Sequence, residues 1–518
     1  MMSESFLTLP LAPLLIRADA NPQMGIGHVM RCLALAQVWR RRGGRVVFAA
    51  ADSLPPALDD RLVREGMTVH TISAAVGSLE DATEVLTLSV TLGARAVILD
   101  GYAFGEAYQA ALTHGLKEAG GRVLVLDDYG QAAHYTAQIV LNQNVYADAR
   151  AYPHHDPDTR FLLGTPFALV RGEFQAWTNY GRETSAQARK LLVTLGGSDP
   201  ANLTGMVLRA LALLPPTIQF EVVVVIGGGH PSRPDLEAAV RHSRHSIRLE
   251  VNSRHMPEHM AWAEVAISAS GSTVWELAFM GVPSILIAVA ENQHPIARTM
   301  AALGAAIGFE TPPAEGDLAA ALAALSEDGE QLRAFAQGSA TLVDGLGAER
   351  VIRALTQTPP LLTVRPVDEG DRRLLWRWAN DPTVRANSFN PAPISWEAHC
   401  AWFARQMGAA DVRFWLLAAD GVPVGHIRYD REGDSAILSY TVAPGERGQG
   451  FGTELLRRTA ARACRELGVR RVSGVTFTAN HASIRAFQKA GFQQAQPRVR
   501  EDRPSLEFVW DYIEESGQ

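Results

Sequence analysis

The sequence predicts an α/β protein in which two successive doubly wound parallel sheets are followed by a separate α+β domain. Two observations lead to this fold class. Short apolar runs alternate with longer amphipathic segments from residue 14 to residue 355, which is typical of strands joined by crossover helices. After the linker at Thr356–Thr363 the composition changes, and strand-like segments follow one another through short turns. We therefore expect domains at residues 1–180, 181–355 and 362–518.

The predicted strands of the first two domains are short runs of buried character, most of them followed by an amphipathic or alanine-rich segment. They lie at Leu14–Ile16, Arg45–Ala49, Ala96–Leu99, Val123–Leu126, Leu191–Leu195, Glu221–Ile226, Val265–Ser268 and Ser284–Ile287. Each half should present the carboxyl ends of its strands to a shared cleft, which is where open α/β sheets bind ligands.

Composition and charge exclude several classes of protein. The 518 residues are 47% hydrophobic and 20% charged, as in globular proteins. A net charge of −7 argues against a nucleic-acid-binding surface. The apolar stretch at residues 6–16 is interrupted by Pro10 and Pro13, so it predicts neither a signal peptide nor a membrane span.

Cysteine usage indicates the compartment. The chain has three cysteines, Cys32, Cys400 and Cys464, which are too far apart in sequence to form a metal-ligand pair. We therefore expect a reduced, cytoplasmic setting and no metal cofactor.

The first functional motif is the turn from Gly25 to Cys32, between the first strand and the first helix. Apolar residues then recur at helical spacing up to Gly43. His28 should therefore lie at a helix N-terminus, where backbone N–H groups attract anions and glycines allow a phosphorylated ligand to approach. A packed or surface histidine in an ordinary glycine turn would have the same sequence.

The second half carries two similar turns. Leu195–Pro200 follows a strand and should open a helix, with Pro200 in its first turn. Further on, Gly271, Ser272 and Thr273 offer N–H and hydroxyl donors to a diphosphate, and Glu276 could accept hydrogen bonds from ribose hydroxyls. The alternative is a helix cap in which Glu276 closes a capping box on Thr273.

These motifs resemble a known family. The matching segments are Arg17–Ala20, Gly25–Cys32, Leu141–Asn144, Leu195–Pro200, Asn202–Thr204 and Ser270–Glu276. Together they resemble the UDP-sugar hydrolase of pseudaminic acid biosynthesis, a family similar in fold to the glycosyltransferases of type B, which have two Rossmann-like domains. The resemblance implies that water removes UDP from UDP-2,4-diacetamido-2,4,6-trideoxy-β-L-altrose without a metal.

The resemblance also implies site residues. His28 matches the family's catalytic histidine. Asp19, Tyr102 and Asn292 fall near the sugar, and Asp19 and Tyr102 are implied as further catalytic residues. The implied UDP-sugar site comprises Gly25, Gly27, Gly197, Ser198, Ser270, Gly271, Ser272, Thr273, Glu276, Asn292 and Gln293. A glycosyltransferase could use the same scaffold with an acceptor hydroxyl in place of water, and that alternative stays open.

The third domain carries a different motif. Strands are expected at Phe414–Ala418, Val424–Tyr429, Ala436–Val442 and Val472–Phe477, with a helix at Thr453–Glu466. Asp420 and Gly421 indicate a hairpin turn. Arg447–Gly452, between a strand and a helix, resembles the acyl-CoA loop of the GNAT acetyltransferases, and Asn480–Phe492 resembles the second half of that fold.

This second resemblance implies that acetyl-CoA is a co-substrate. The implied acetyl-CoA site comprises Val442, Arg447, Gly448, Gln449, Gly450, Gly452, Asn480, Ser483 and Phe487. Many GNAT enzymes have a proton-donating tyrosine at the position of Phe487, and phenylalanine has no proton to give. Tyr440 or a water could take that role, and His399 or Glu397 could take the proton of the substrate amine.

The fusion suggests two consecutive reactions on one nucleotide sugar. The third domain would acetylate the 4-amino group of UDP-4-amino-4,6-dideoxy-N-acetyl-β-L-altrosamine, and the first two would then release UDP. An alternative is a non-catalytic acyl-CoA-binding domain beside the hydrolase. The expected partners are small-molecule nucleotide sugars, with no nucleic acid and no membrane, and the sequence predicts no oligomeric state.

Overall fold

A computed structural model describes residues 11–21, 24–356, 359–500 and 503–513. Residues 6–10 of the apolar stretch and residues 357–358 of the predicted linker lie outside this range. The chain divides into two compact units that meet in sequence at residues 357–358, and each is described by itself below.

The first unit begins with a seven-stranded parallel sheet in the order β3-β2-β1-β4-β5-β6-β7. Its strands are β1 Leu14–Ala18, β2 Val46–Ala50, β3 Thr68–Thr71, β4 Ala96–Asp100, β5 Arg122–Leu126, β6 Ile139–Asn142 and β7 Arg160–Leu163. The helices between them are α1 Gly27–Arg41, α2 Pro56–Arg64, α3 Leu79–Leu92 and α4 Glu106–Glu118. The strands β1, β2 and β4 are buried at every residue, because helices cover both faces of such a sheet.

A second parallel sheet of six strands follows, in the order β10-β9-β8-β11-β12-β13. Its strands are β8 Lys190–Thr194, β9 Glu221–Ile226, β10 Ser246–Val251, β11 Val265–Ala269, β12 Ser284–Ile287 and β13 Ile307–Phe309. Its helices are α5 Leu203–Ala212, α6 Arg233–Arg241, α7 Met256–Trp262, α8 Thr273–Met280, α9 His294–Ala302, α10 Glu315–Glu327, α11 Gly329–Ala340 and α12 Gly347–Thr356.

The last helix of this unit returns to the first sheet. Val351, Ile352 and Leu355 of α12 join the buried core that contains Leu33 and Val38 of α1. Arg41 and Arg42 both pair with Glu349 at 2.9 Å. The end of the second half is therefore packed against the first half, which ties the two sheets into one unit.

The second unit is a seven-stranded mixed sheet in the order β14-β15-β16-β17-β18-β20-β19. The strands are β14 Leu362–Pro366, β15 Val412–Ala419, β16 Val422–Glu432, β17 Ser435–Val442, β18 Arg471–Phe477, β19 Gln493–Arg500 and β20 Arg503–Asp511. The helices are α13 Arg372–Ala379, α14 Pro382–Ala386, α15 Trp396–Met407, α16 Phe451–Leu467 and α17 His481–Lys489.

The predicted fold class is confirmed, with two parallel sheets followed by an α+β domain. The predicted strands agree with the observed ones to within a few residues at each end. The hairpin turn is also present, since Asp420 and Gly421 both have positive φ, 51° and 79°, as a type I′ turn requires. No helix among the described residues is long and apolar enough to cross a membrane.

Candidate active sites

His28 lies in the first turn of α1, just beyond the carboxyl end of β1. The chain enters this helix through Gly25, whose φ of 78° is available to glycine at little cost. The residue before the helix, Ile26, provides no side-chain cap, and Gly27 is the first residue of α1. The N-terminal amides of α1 therefore receive no side-chain acceptor from that residue.

Asp100, at the end of the neighbouring strand β4, forms a hydrogen bond with the His28 ring. Its Oδ1 lies 2.6 Å from His28 Nδ1, and Arg31 donates to both carboxylate oxygens at 2.7 Å. Burial alone would raise the pKa of Asp100, but the Arg31 guanidinium beside it holds that pKa well below its ordinary range. The carboxylate is therefore an acceptor, so the Nδ1 of His28 carries the proton and a neutral ring has its lone pair on Nε2.

Arg31 links this pair to a second carboxylate, that of Asp128. It donates to Asp128 at 2.8 Å, and Asn144 donates to the same oxygen at 3.0 Å. Tyr102 donates to the other oxygen at 2.8 Å, and its ring meets His28 edge-on with centroids 5.1 Å apart. Asp100, Arg31 and Asp128 are site residues that the sequence analysis did not identify.

Tyr102 also links the two halves of the unit. The Nδ2 of Asn292, in the turn before α9, donates to the Tyr102 hydroxyl at 2.7 Å. The predicted residues His28, Tyr102 and Asn292 are thus brought together. Asp19, by contrast, accepts hydrogen bonds from Arg17 at 2.6 Å and from the Ala51 amide at 2.7 Å, and its catalytic role stays a prediction.

The glycine turns of the two halves face each other. A β-carbon on Gly25 would lie 3.8 Å from Ser198 Oγ, and one on Gly197 would lie 3.4 Å from the side chain of Ile26. The two predicted turns therefore form opposite walls of one narrow cleft.

One expectation about the second wall is wrong. The helix after this turn, α5, begins at Leu203, so Pro200 precedes it instead of occupying its first turn. The Asp199 carboxylate accepts hydrogen bonds from the amides of Leu203 and Thr204 at 2.9 and 2.8 Å. An internal carboxylate therefore already satisfies the start of this helix.

The turn before α8 is different. Ser272 precedes Thr273, the first residue of α8, and makes no side-chain cap. The Oγ of Ser270 is buried without a hydrogen-bond partner among the described residues. A β-carbon on Gly271 would lie 3.5 Å from Gln293 Nε2. Unpartnered donors at the start of a helix suit a phosphate group.

Glu276 does not close the capping box considered above. Its two oxygens accept from Arg171 Nε and Nη2 at 2.5 and 2.8 Å, and the residue is 5% exposed. The capping box is therefore wrong, because a strong cation reaches this carboxylate from the segment between the two sheets. Its contact with a ribose stays a prediction.

The second unit contains a gap in its sheet. The parallel strands β17 and β18 pair only at Ser435–Ile437 with Arg471–Ser473, and beyond these residues they diverge. The Ala443 amide donates to Val424 of β16. Because backbone groups alternate in direction along a strand, the amides of Tyr440 and Val442 face the gap. An extended ligand with amide groups can pair with such an edge.

The predicted acyl-CoA loop lies at the end of this gap. Gly448 and Gly450 have positive φ, 79° and 88°, and Gly450 precedes α16 without a side-chain cap. Gln449 donates to Glu446 at 2.9 Å. The loop thus presents the bare N-terminus of a helix of 17 residues, which fits the pyrophosphate of acetyl-CoA.

The other predicted acetyl-CoA residues surround the gap. A β-carbon on Gly452 would lie 3.2 Å from the Tyr440 ring and 3.4 Å from Val442. Asn480 caps α17 by accepting from the Ser483 amide at 3.1 Å. Arg447 is paired with Asp381 at 2.5 Å.

The two candidate bases are placed unfavourably. His399 is 2% exposed, and its Nε2 donates to the Arg372 carbonyl at 2.9 Å. Burial lowers the pKa of His399 to about 4. Glu397 lies on the exposed face of α15.

A further histidine, His426 of β16, was missed by the sequence analysis. It stacks on Trp378 with centroids 6.3 Å apart, its Nδ1 is buried without a partner among the described residues, and burial lowers its pKa to about 3. His426 lies alone in a strand, so no sequence motif indicated a functional role for it. The described residues contain no group of three or more side chains able to hold a metal ion.

Two family models match separate parts of the chain. Residues 362–493 match the family model described as the acetyltransferase (GNAT) domain. Residues 191–350 match that of the glycosyltransferase family 28 C-terminal domain. The MurG structure from Acinetobacter baumannii superposes with a TM-score of 0.47 and 16% identity, covering 67% of this chain and all of that one.

Two curated relatives cover the first unit. The UDP-2,4-diacetamido-2,4,6-trideoxy-β-L-altropyranose hydrolase of Campylobacter jejuni is 25% identical over 57% of this chain and 98% of its own length. The spore coat polysaccharide biosynthesis protein SpsG of Bacillus subtilis is 24% identical over 66% of this chain and 96% of its own length. The chain therefore joins a region similar to the UDP-sugar hydrolase of the pseudaminic acid pathway to a region that matches the GNAT acetyltransferase domain.

Proposed function

We propose that the chain carries out two consecutive steps on a nucleotide sugar. The second unit transfers an acetyl group from acetyl-CoA to the 4-amino group of UDP-4-amino-4,6-dideoxy-N-acetyl-β-L-altrosamine. The first unit then hydrolyses UDP-2,4-diacetamido-2,4,6-trideoxy-β-L-altrose to UDP and the free sugar. The observation that carries the hydrolase is the 2.6 Å contact between His28 and Asp100 at the mouth of the cleft.

In the proposed hydrolysis, His28 acts as the base. With Nδ1–H held by Asp100, the Nε2 of His28 takes a proton from a water molecule. The water oxygen bonds to C1 of the sugar, the bond from C1 to the phosphate oxygen breaks, and UDP leaves with the electron pair. The N–H groups at the start of α8 and the Ser270 hydroxyl supply donors for the charge that grows on the β-phosphate.

The test is UDP release from the diacetamido sugar nucleotide without an acceptor, carried out in H₂¹⁸O. We expect release by the wild type, with no ¹⁸O in the UDP, because the C–O bond breaks. His28→Ala should lower kcat by about 10²- to 10⁴-fold, while His70→Ala, on the exposed edge strand β3, should leave it unchanged. Release that requires an added acceptor sugar would favour a glycosyltransferase instead.

The acetyl-transfer step rests on the GNAT match, the gap between β17 and β18, and the uncapped start of α16. We expect free CoA thiol to form when the full chain meets acetyl-CoA and the 4-amino sugar nucleotide. UDP-N-acetylglucosamine, which has no free amine, is the matched control. Binding of acetyl-CoA without thiol release would indicate the non-catalytic alternative.

The proposal includes a cytoplasmic setting. It is supported by the three cysteines, which are all free in the structure, two of them buried.

A further inference from the structure

The acetyltransferase unit has no tyrosine where Phe487 lies. Phe487 is 1% exposed, stacks on Phe508 with centroids 4.9 Å apart and touches Phe492. The ring completes the core at the start of the gap. Its position offers packing but no proton.

A tyrosine nevertheless reaches the same place from the opposite side of the gap. Tyr440, on the part of β17 that is no longer paired with β18, meets the Phe487 ring edge-on with centroids 5.7 Å apart. Its hydroxyl lies 2.8 Å from Ser483 Oγ. Ser483 is one helical turn before Phe487, so the two share a face of α17.

The surroundings of Tyr440 belong to the acyl-CoA groove. Its ring lies against Gly452 in the first turn of α16, and its backbone amide faces the gap by the strand alternation described above. Burial raises the pKa of Tyr440 to about 12. The phenol therefore stays protonated at neutral pH and can act as a donor.

We propose that Tyr440 protonates the CoA thiolate as the thiolate leaves. Ser483 positions the Tyr440 hydroxyl and relays a proton back to it. This rests on the proposed acetyl transfer. The substrate ammonium first loses a proton to water. The amine nitrogen then bonds to the acetyl carbon as the C–S bond breaks, and it gives its second proton to water to become the amide. The Tyr440 hydroxyl gives its proton to sulfur, and the tyrosinate regains one from water through the Ser483 hydroxyl. The proton-donor function has thus moved from α17 to β17.

The test compares Tyr440→Phe with the double variant Tyr440→Phe/Phe487→Tyr in the full chain. Thiol release is measured against acetyl-CoA and the 4-amino sugar nucleotide. We expect kcat of the single variant to fall by about 10²-fold with KM for acetyl-CoA unchanged, and the double variant to recover much of the loss. Ser483→Ala should lower kcat by about tenfold, the equivalent of one hydrogen bond.

The readouts separate a chemical role from a structural one. Acetyl-CoA affinity by calorimetry and thermal unfolding are measured on each variant. An unchanged kcat in Tyr440→Phe, a loss confined to KM, or a loss that Phe487→Tyr does not relieve would each overturn the inference. If the wild-type chain binds acetyl-CoA but releases no thiol, the proposed acetyl transfer itself fails.

Discussion

At the scale of single residues, the proposed hydrolase site depends on one carboxylate. Asp100 is 1% exposed and accepts from His28, Arg31 and the Cys32 thiol. A buried carboxylate is tolerated only when such partners compensate its lost hydration. The same partners fix which nitrogen of His28 is free to take a proton.

We predict that Asp100→Asn damages both stability and activity. An amide N–H can donate to His28 Nδ1 and so place the ring proton on Nε2, where it blocks proton abstraction. UDP release should fall by about 10²-fold or more. The free energy of unfolding should fall by about 3 kcal/mol, because Arg31 loses a buried partner. Urea denaturation and UDP release check this, with the exposed Asp52→Asn as control. An Asn variant with full activity would contradict it.

The importance of Asp100 was not visible in the sequence for a physical reason. Its partners lie 72 and 69 positions away, and no periodicity links an aspartate at the end of one strand to a helix after another. His28 was identifiable because a local glycine turn announces a helix start. Local signals thus identified His28 as a candidate proton acceptor, and only the fold shows that Asp100 contacts it.

At the scale of elements, strand positions were predicted more accurately than helix starts. The apolar run Val222–Ile226 lies between Glu221 and Gly227 and is largely buried in the sheet, so its limits follow from composition. The start of α5 was misplaced because Asp199 and Asn202, both with positive φ, form a longer turn before it. His399 was a candidate base for the substrate amine, yet it packs among aromatic rings.

Two histidines with lowered pKa values predict how the stability of the second unit changes in acid. His399 and His426 have folded pKa values of about 4 and about 3, both below the ordinary histidine value. The unfolded chain therefore binds more protons below about pH 6.5, so stability falls as the pH drops from there toward 4, by up to about 1.4 kcal/mol per pH unit for each histidine.

Replacing His426 with phenylalanine should remove about half of the change in unfolding free energy per pH unit. The Nδ1 of His426 has no partner among the described residues, and its neighbours Trp378 and Phe414 are aromatic, so the variant should be no less stable at pH 7.5. The slope is measured by denaturing the full chain at several pH values and monitoring the fluorescence of the second unit. The exposed His481→Phe is the matched control. An unchanged slope in His426→Phe would contradict the prediction.

At the scale of the whole molecule, the chain consists of two units with separate cores. A domain with its own core can fold alone. We predict that residues 1–356 and 359–518, expressed separately, each unfold in a single cooperative transition. The first fragment should keep UDP release and the second should keep thiol release. Calorimetry and the two assays check this, and a fragment that fails to fold would show that it requires the other.

The short pairing between β17 and β18 also has a dynamic consequence. The amides of Tyr440 and Val442 face the gap, where no strand among the described residues pairs with them. They should therefore exchange their hydrogens for deuterium faster than those of Ser439 and Thr441, which face β16. A ligand that pairs with this edge acts as a temporary extra strand. Acetyl-CoA should slow exchange at these alternate positions and leave their neighbours as they were, so that the cofactor leaves a signature with a period of two residues.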